Sequence, residues 1–232
     1  MSAALRWLPQ GTVYGALLNF RREWDLWAPQ MTEAPYKAAP QAPVLYIKTA
    51  NTFAPCGAAI AVPDEVDVGA TLGLVIGGFE EKLPPALAES AQAATKKEAG
   101  GLHRSAGCVL LNDLSLPHAS YYRPPSKFRN RDGFLGCGPV LQAVPDLSTL
   151  ALELRINGTL AQRIELSTLV RDAATLLRDV SEFTTLQAGD VLMLGTDCLP
   201  DGTRPRAKAG DRIEISAPDF GPLVNTLVED AA

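Results

Sequence analysis

Leu150–Gln162 reads LALELRINGTLAQ. Apolar and polar residues alternate up to Ile156, Asn157-Gly158 follows, and a second strand-like run begins at Thr159. Both central positions of a two-residue hairpin turn need positive φ, which Asn and Gly adopt cheaply, so the stretch predicts two antiparallel strands closed by a tight turn. Working outward, further short apolar runs read as strands: Thr12–Leu18, Val44–Lys48, Ala58–Val62, Ala70–Ile76, Gly107–Leu111, Val191–Leu194, Arg212–Ser216 and Pro222–Val228. Helical patterning is sparse. Leu169, Ala173, Leu176, Val180 and Phe183 step by four and three, which predicts a helix over Ser167–Phe183 capped by Ser167, with its stripe buried in the core. Arg21–Trp27 reads as a short helical or irregular piece, and the alanine-rich Pro84–Lys97 as a surface helix. Pro117–Gly138 reads as a long polar loop.

Strands and helices do not alternate regularly, so a doubly wound parallel sheet is disfavoured and the expected class is α+β, a β-rich roll or barrel with a few peripheral helices. At 232 residues the chain is long enough to bury a large core without staples, and with no linker or repeat it reads as one domain over 1–232. The net charge of −5 argues against a nucleic-acid partner, which needs clustered cations. No apolar stretch approaches the roughly 20 residues that span a bilayer, and Met1–Gly11 lacks an apolar leader core, so no membrane partner and a cytoplasmic location are expected. The scattered cysteines at 56, 108, 137 and 198 then read as reduced, mostly buried thiols. Only two histidines are present, His103 and His118, and P-loop, G-x-S-x-G and H-E-x-x-H motifs are absent. His118 reads as solvent-exposed rather than catalytic.

The order of segments carries more. Leu18-Asn19-Phe20 is followed by Pro43–Lys48, Val66–Gly77 (VDVGATLGLVIG), Ala106–Asp113 (AGCVLLND), Arg131-Asp132-Gly133-Phe134 and Gly138-Pro139. Ile156–Gln162, Ser181–Asp190, Leu194-Gly195-Thr196 and Gly210-Asp211 complete the series. Taken together, over essentially the whole chain, it resembles the fumarylacetoacetate hydrolase superfamily. Ser115-Leu116-Pro117, Tyr121-Tyr122-Arg123-Pro124 and the Arg131–Phe134 run narrow the resemblance to the isomerase/decarboxylases of 4-hydroxyphenylacetate (homoprotocatechuate) breakdown, and there to the N-terminal half of a fold that occurs in tandem or as two subunits.

The resemblance implies a β-roll fold and a Mg²⁺ or Mn²⁺ ion on a Glu-x-Glu pair and an Asp. The ion would chelate a small 2-oxo di- or tricarboxylate and stabilise its enolate. Carried over by position, the Asp is Asp113, but the Glu pair falls on Gly69 and Thr71. The family's His and its Glu partner fall on Glu23 and Leu26, the Arg beyond the metal-binding Asp falls on Pro117, and the active-site Lys falls on Arg129, which cannot act as a base near neutral pH. Asn157, Gly158, Gln162 and Thr196 keep the pattern. The resemblance thus implies a degenerate metal site that binds no metal tightly, with Asp67 and Glu23 as the carboxylates able to move in. It implies a subunit of an enzyme that decarboxylates 5-oxopent-3-ene-1,2,5-tricarboxylate and isomerises 2-hydroxyhepta-2,4-diene-1,7-dioate. Two rival readings stand beside it: a non-catalytic partner of a metal-bearing paralogue, and a C–C bond hydrolase. A homodimer or a heteromer with the paralogue is expected. Residues 79–105 look like a helical insertion.

Candidate substrate-binding residues are Lys48, Tyr122, Arg123, Arg129, Arg131 and Thr196. The arginines suit the forked recognition of carboxylates. Two alternatives stay open: a structural loop whose arginines meet Asp132 and nearby acids, and a surface lysine at position 48.

Overall fold

The computed structural model describes residues 7–34, 37–77, 105–118, 126–138 and 145–230. Thirteen strands are present among them: β1 (Val13–Leu17), β2 (Val44–Lys48), β3 (Phe53–Pro55), β4 (Ala59–Val62), β5 (Val66–Ile76), β6 (Ser105–Ser115), β7 (Leu135–Cys137), β8 (Ala151–Ile156), β9 (Thr159–Glu165), β10 (Val191–Met193), β11 (Arg206–Ala207), β12 (Arg212–Ser216) and β13 (Leu223–Glu229). Three α-helices accompany them: α1 (Arg21–Met31), α2 (Ser126–Arg129) and α3 (Ala173–Ser181). The β-rich α+β expectation is met.

Two sheets form. The larger runs β2-β1-β10-β5-β6-β7-β3, with β11 added on β5, and the smaller runs β4-β13-β12-β8-β9. The Asn157-Gly158 hairpin is the β8–β9 turn; both residues have positive φ, 52° and 81°. Alternation along the strands sorts two clusters. Val68, Leu72 and Leu74 of β5 pack with Leu152, Leu154, Ile213, Ile215 and Leu227 of the smaller sheet and with Leu176 and Val180 of α3 in the main core. The opposite face of the larger sheet carries a second cluster: Val13, Tyr46, Val75, Val109, Leu111, Leu135, Val191 and Met193. This second face holds the candidate site.

Several expectations are corrected. The predicted Ser167–Phe183 helix is a 3₁₀ turn at Leu166–Thr168, a non-helical stretch, and then α3. Asp172, not Ser167, caps α3, its carboxylate accepting the Thr175 N–H at 2.7 Å. The apolar stripe misled because Leu169 bridges Phe20 and Phe183 lies exposed, so neither belongs to the helix's buried face. Helix α1 continues past Trp27 through Pro29, which removes one N–H from the final turn only. The Pro117–Gly138 loop contains α2 and β7, and β5 and β6 each run to 11 residues, longer than the apolar runs suggested. The Pro84–Lys97 helix and the 79–105 insertion lie outside the described residues, except Ser105, which opens β6.

Asp172→Ala is expected to lower stability by about 1 kcal/mol, the typical value of an N-cap. Urea unfolding measures it, and an unchanged midpoint would show that the cap is dispensable.

Candidate functional site

On β2, Tyr46 and Lys48 are two residues apart and so share one side of the strand, with Ile47 on the other. On β6, Asp113 projects from the same face as Leu111. β2 and β6 are four places apart in the strand order, so these side chains meet because the larger sheet curls its second face inward.

Asp113 is the hub. Its Oδ1 lies 2.9 Å from Lys48 Nζ and its Oδ2 2.9 Å from an Arg129 guanidinium nitrogen, all three side chains essentially out of solvent. The Tyr46 hydroxyl donates a hydrogen bond to Asp113 Oδ2. Arg129 stacks over the Tyr46 ring at 4.4 Å. Lys48 also donates to the carbonyl of Leu114 at 3.1 Å, and to that of Arg129 itself. Burial pushes the Asp113 carboxyl upward, but the adjacent Lys48 and Arg129 charges outweigh it and hold the group below its ordinary range. Burial lowers Lys48, partly offset by Asp113. Burial and the Asp113 charge push the Tyr46 phenol well up, so it stays a proton donor.

A pocket of about 400 Å³ opens beside this cluster, lined by Arg129, Ser115, Asp67, Glu23, Arg204 and Arg206 among others. Each of the two carboxylates that line it has an arginine. Glu23 meets Arg204 at 2.7 Å and also accepts the Leu18 N–H, while Asp67 meets Arg206 at 3.2 Å. Cys198 also lines the pocket; burial, then Asp197 and Glu23, push its thiol up to about 11, which leaves it a poor nucleophile. None of the four cysteines is in a disulfide.

Among the described residues, the groups around Asp113 do not fit a divalent ion. Both Asp113 oxygens already face cationic groups. Gly69 stands directly across from Asp113 in the β5–β6 register, and a Cβ there would lie 2.5 Å from the Thr196 methyl and 3.0 Å from the Asp113 carbonyl. A glutamate at position 69 has no room. Thr71 is buried and supplies at most a neutral hydroxyl. Asp67 and Glu23, the carboxylates that were to move in, are engaged by Arg206 and Arg204. Hard cations need several anionic or carbonyl oxygens, and here the oxygens are matched to guanidinium and ammonium groups instead.

The structure therefore gathers Lys48, Asp113 and Arg129 in one cluster, with Thr196 plugging the adjoining space. Lys48 is not a surface lysine. Arg131 sits apart, paired with Asp230 at 2.8 Å on an exposed surface, and it does not line the pocket. Tyr121, Tyr122 and Arg123 lie outside the described residues. His118 lines the pocket and stacks on Phe128 at 4.8 Å. Sequence reasoning missed Tyr46, Arg204 and Arg206. Tyr46 had a signal: any strand that turns Lys48 inward turns residue 46 inward too.

With the geometry in place, comparison with known proteins gives the family. The model of the fumarylacetoacetate (FAA) hydrolase C-terminal family matches residues 12–228. The chain belongs to this family. A 4-hydroxyphenylacetate degradation bifunctional isomerase/decarboxylase of Escherichia coli is 36% identical over 223 residues, covering 95% of this chain and 48% of the relative. The chain thus spans about half the length of this relative. Among solved structures of the FAA hydrolase fold, a 5-carboxymethyl-2-hydroxymuconate delta-isomerase from Mycobacterium smegmatis superposes with a TM-score of 0.69 at 24% identity, covering 99% of this chain and 83% of that one. A maleylpyruvate hydrolase from Sphingobium, solved with manganese(II) and pyruvate, gives 0.66 at 18% identity, covering 96% of this chain and 72% of that one. Among the described residues, no helix is long and apolar enough to cross a membrane.

Proposed function

We propose that this FAA hydrolase domain serves in aromatic catabolism as the metal-poor half of an isomerase/decarboxylase, working with a paralogue or second domain that carries the intact carboxylates. The substrates of the pair are 5-oxopent-3-ene-1,2,5-tricarboxylate for decarboxylation and 2-hydroxyhepta-2,4-diene-1,7-dioate for isomerisation. The observation that carries the reading is the 36% identity across nearly the whole chain to one half of a bifunctional relative. The crowded position at Gly69, and the cationic partners of Asp113, support the view that its own metal site is degenerate. A single domain over 1–232, with 79–105 as an insertion, is consistent with a family match running from residue 12 to 228. The pocket arginines suit a multiply charged carboxylate. The rival reading, C–C bond hydrolysis by this chain, lacks the His–Glu pair: Glu23 is tied to Arg204.

The test is an assay of decarboxylation with Mn²⁺ or Mg²⁺. The purified chain is expected to be silent and to raise activity at least tenfold over the metal-bearing paralogue alone when the two are mixed. Full activity of this chain by itself would overturn the reading, as would mixing without effect.

A further inference from the structure

The geometry points to a built-in cation: Lys48 and Arg129 together stand in for the divalent ion at Asp113, and the pocket above them takes a small carboxylate without any metal. The inference rests on the proposed reading of the site as a carboxylate pocket, and goes beyond it by naming what does the ion's electrostatic work.

Three observations converge. First, a metal would neutralise Asp113 and hold it in place. Here Lys48 and Arg129 do both, one at each carboxylate oxygen and each at 2.9 Å. Second, the arrangement is fixed rather than loose. Lys48 is anchored to two backbone carbonyls, and Arg129 is held between Asp113 and the face of the Tyr46 ring. A guanidinium that is already oriented loses little rotamer freedom on meeting a ligand. Third, Arg129 is both a member of the cluster and a wall of the pocket, beside Ser115. The cluster therefore presents a positioned cation to whatever enters, as a chelated metal presents one to a 2-oxo acid. Lys48 is a positioning residue: it lies beneath, fully buried, and acts through Asp113. By sharing that carboxylate, it leaves less of the Asp113 charge to be satisfied by Arg129.

Oxalate is the probe, because it mimics the planar 2-oxo carboxylate and also chelates metals. Calorimetry on the full chain is expected to give the same oxalate affinity, within twofold, in EDTA and in Mn²⁺. Lys48→Met is expected to weaken oxalate at least tenfold, and Lys48→Arg to restore most of it; a purely structural lysine would leave the affinity of the folded fraction unchanged. If Lys48→Met does not fold, Arg129→Lys decides: it keeps the charge and loses the fork, and is expected to weaken oxalate at least tenfold. Oxalate binding that requires Mn²⁺, no oxalate binding in either medium, or an affinity unmoved by these replacements would overturn the inference. A chain that activates its paralogue yet binds oxalate only with Mn²⁺ would overturn this inference alone. Metal-free binding without any effect on mixing would overturn only the functional reading.

Discussion

Asp113→Ala is expected to lose about 3–5 kcal/mol of folding stability, read from urea unfolding at neutral pH. The reason is asymmetric. Removing a whole buried ion pair can be nearly neutral, whereas removing one partner strands the other charge away from water. Here one truncation takes the shared carboxylate from two cations at once, since Lys48 and Arg129 both bind it and both side chains are almost fully enclosed. It also leaves the Tyr46 hydroxyl without its acceptor. The same carboxylate should shape the acid limb of stability. Burial alone would raise it, and the Lys48 and Arg129 charges more than reverse that, so its folded value is depressed. A depressed carboxylate contributes stability that is fully present above its unfolded value of about 3.9 and is lost as pH falls through the folded one. The parent should therefore weaken below about pH 4. Asp113→Asn should flatten that limb while costing stability at neutral pH. A loss under 1 kcal/mol with an unchanged acid limb would show that the cluster is not the keystone the geometry describes.

Gly15→Ala is the second large effect. Gly15 faces Tyr46 across the β1–β2 pair, and a Cβ there would fall within the Tyr46 ring, touching its Cζ and hydroxyl. Neither side can yield cheaply. Gly15 is held in the sheet by its register with Met193 as well, and the ring is stacked under Arg129 and bonded to Asp113. Overpacking of this kind typically costs about 1–3 kcal/mol, and moving Tyr46 would add part of the cluster's energy. The expected result is a loss of at least about 2 kcal/mol. Gly15→Ala paired with Tyr46→Ala should recover part of it, because the second change removes the atoms the new methyl meets. Non-additivity in that direction is the signature. Plain additivity would mean that the strain lies elsewhere.

How much of this the chain announced depended on range. The β8–β9 hairpin was legible because Asn157-Gly158 settles a local backbone conformation. The family order was legible because it survives as short motifs in sequence. The start of α3 was not. Leu169 keeps the apolar step of a helix, yet its backbone is spent on a bridge to Phe20 and its neighbours turn at Leu166–Thr168. Periodicity cannot tell a residue buried by a bridge from one buried by a helix. Asp113 was found by motif position, but its partners were not assigned. Lys48 and Arg129 are 81 residues apart, one on β2 and one at the end of α2, and meet only in the folded molecule. Gly69 told of a missing carboxylate; that its space is filled by Thr196 is a tertiary fact with no local trace.

The parallel pairing of β1 with β10 has a kinetic consequence. Val13 lies beside Val191, and β10 in turn joins β1 to the long β5–β6 pair. The strands beneath the cluster are therefore drawn from both ends of the chain: β1 can pair early with β2, but a ribosome must release most of the chain before β1 can find its second neighbour, β10. Loop closure over such separations comes before any reward from contact, which places proteins of this kind among the slow folders, in roughly the millisecond-to-second range. Until that closure, Asp113 and Lys48 belong to separate pieces of sheet, and two opposite charges destined for one dry interior wait in water.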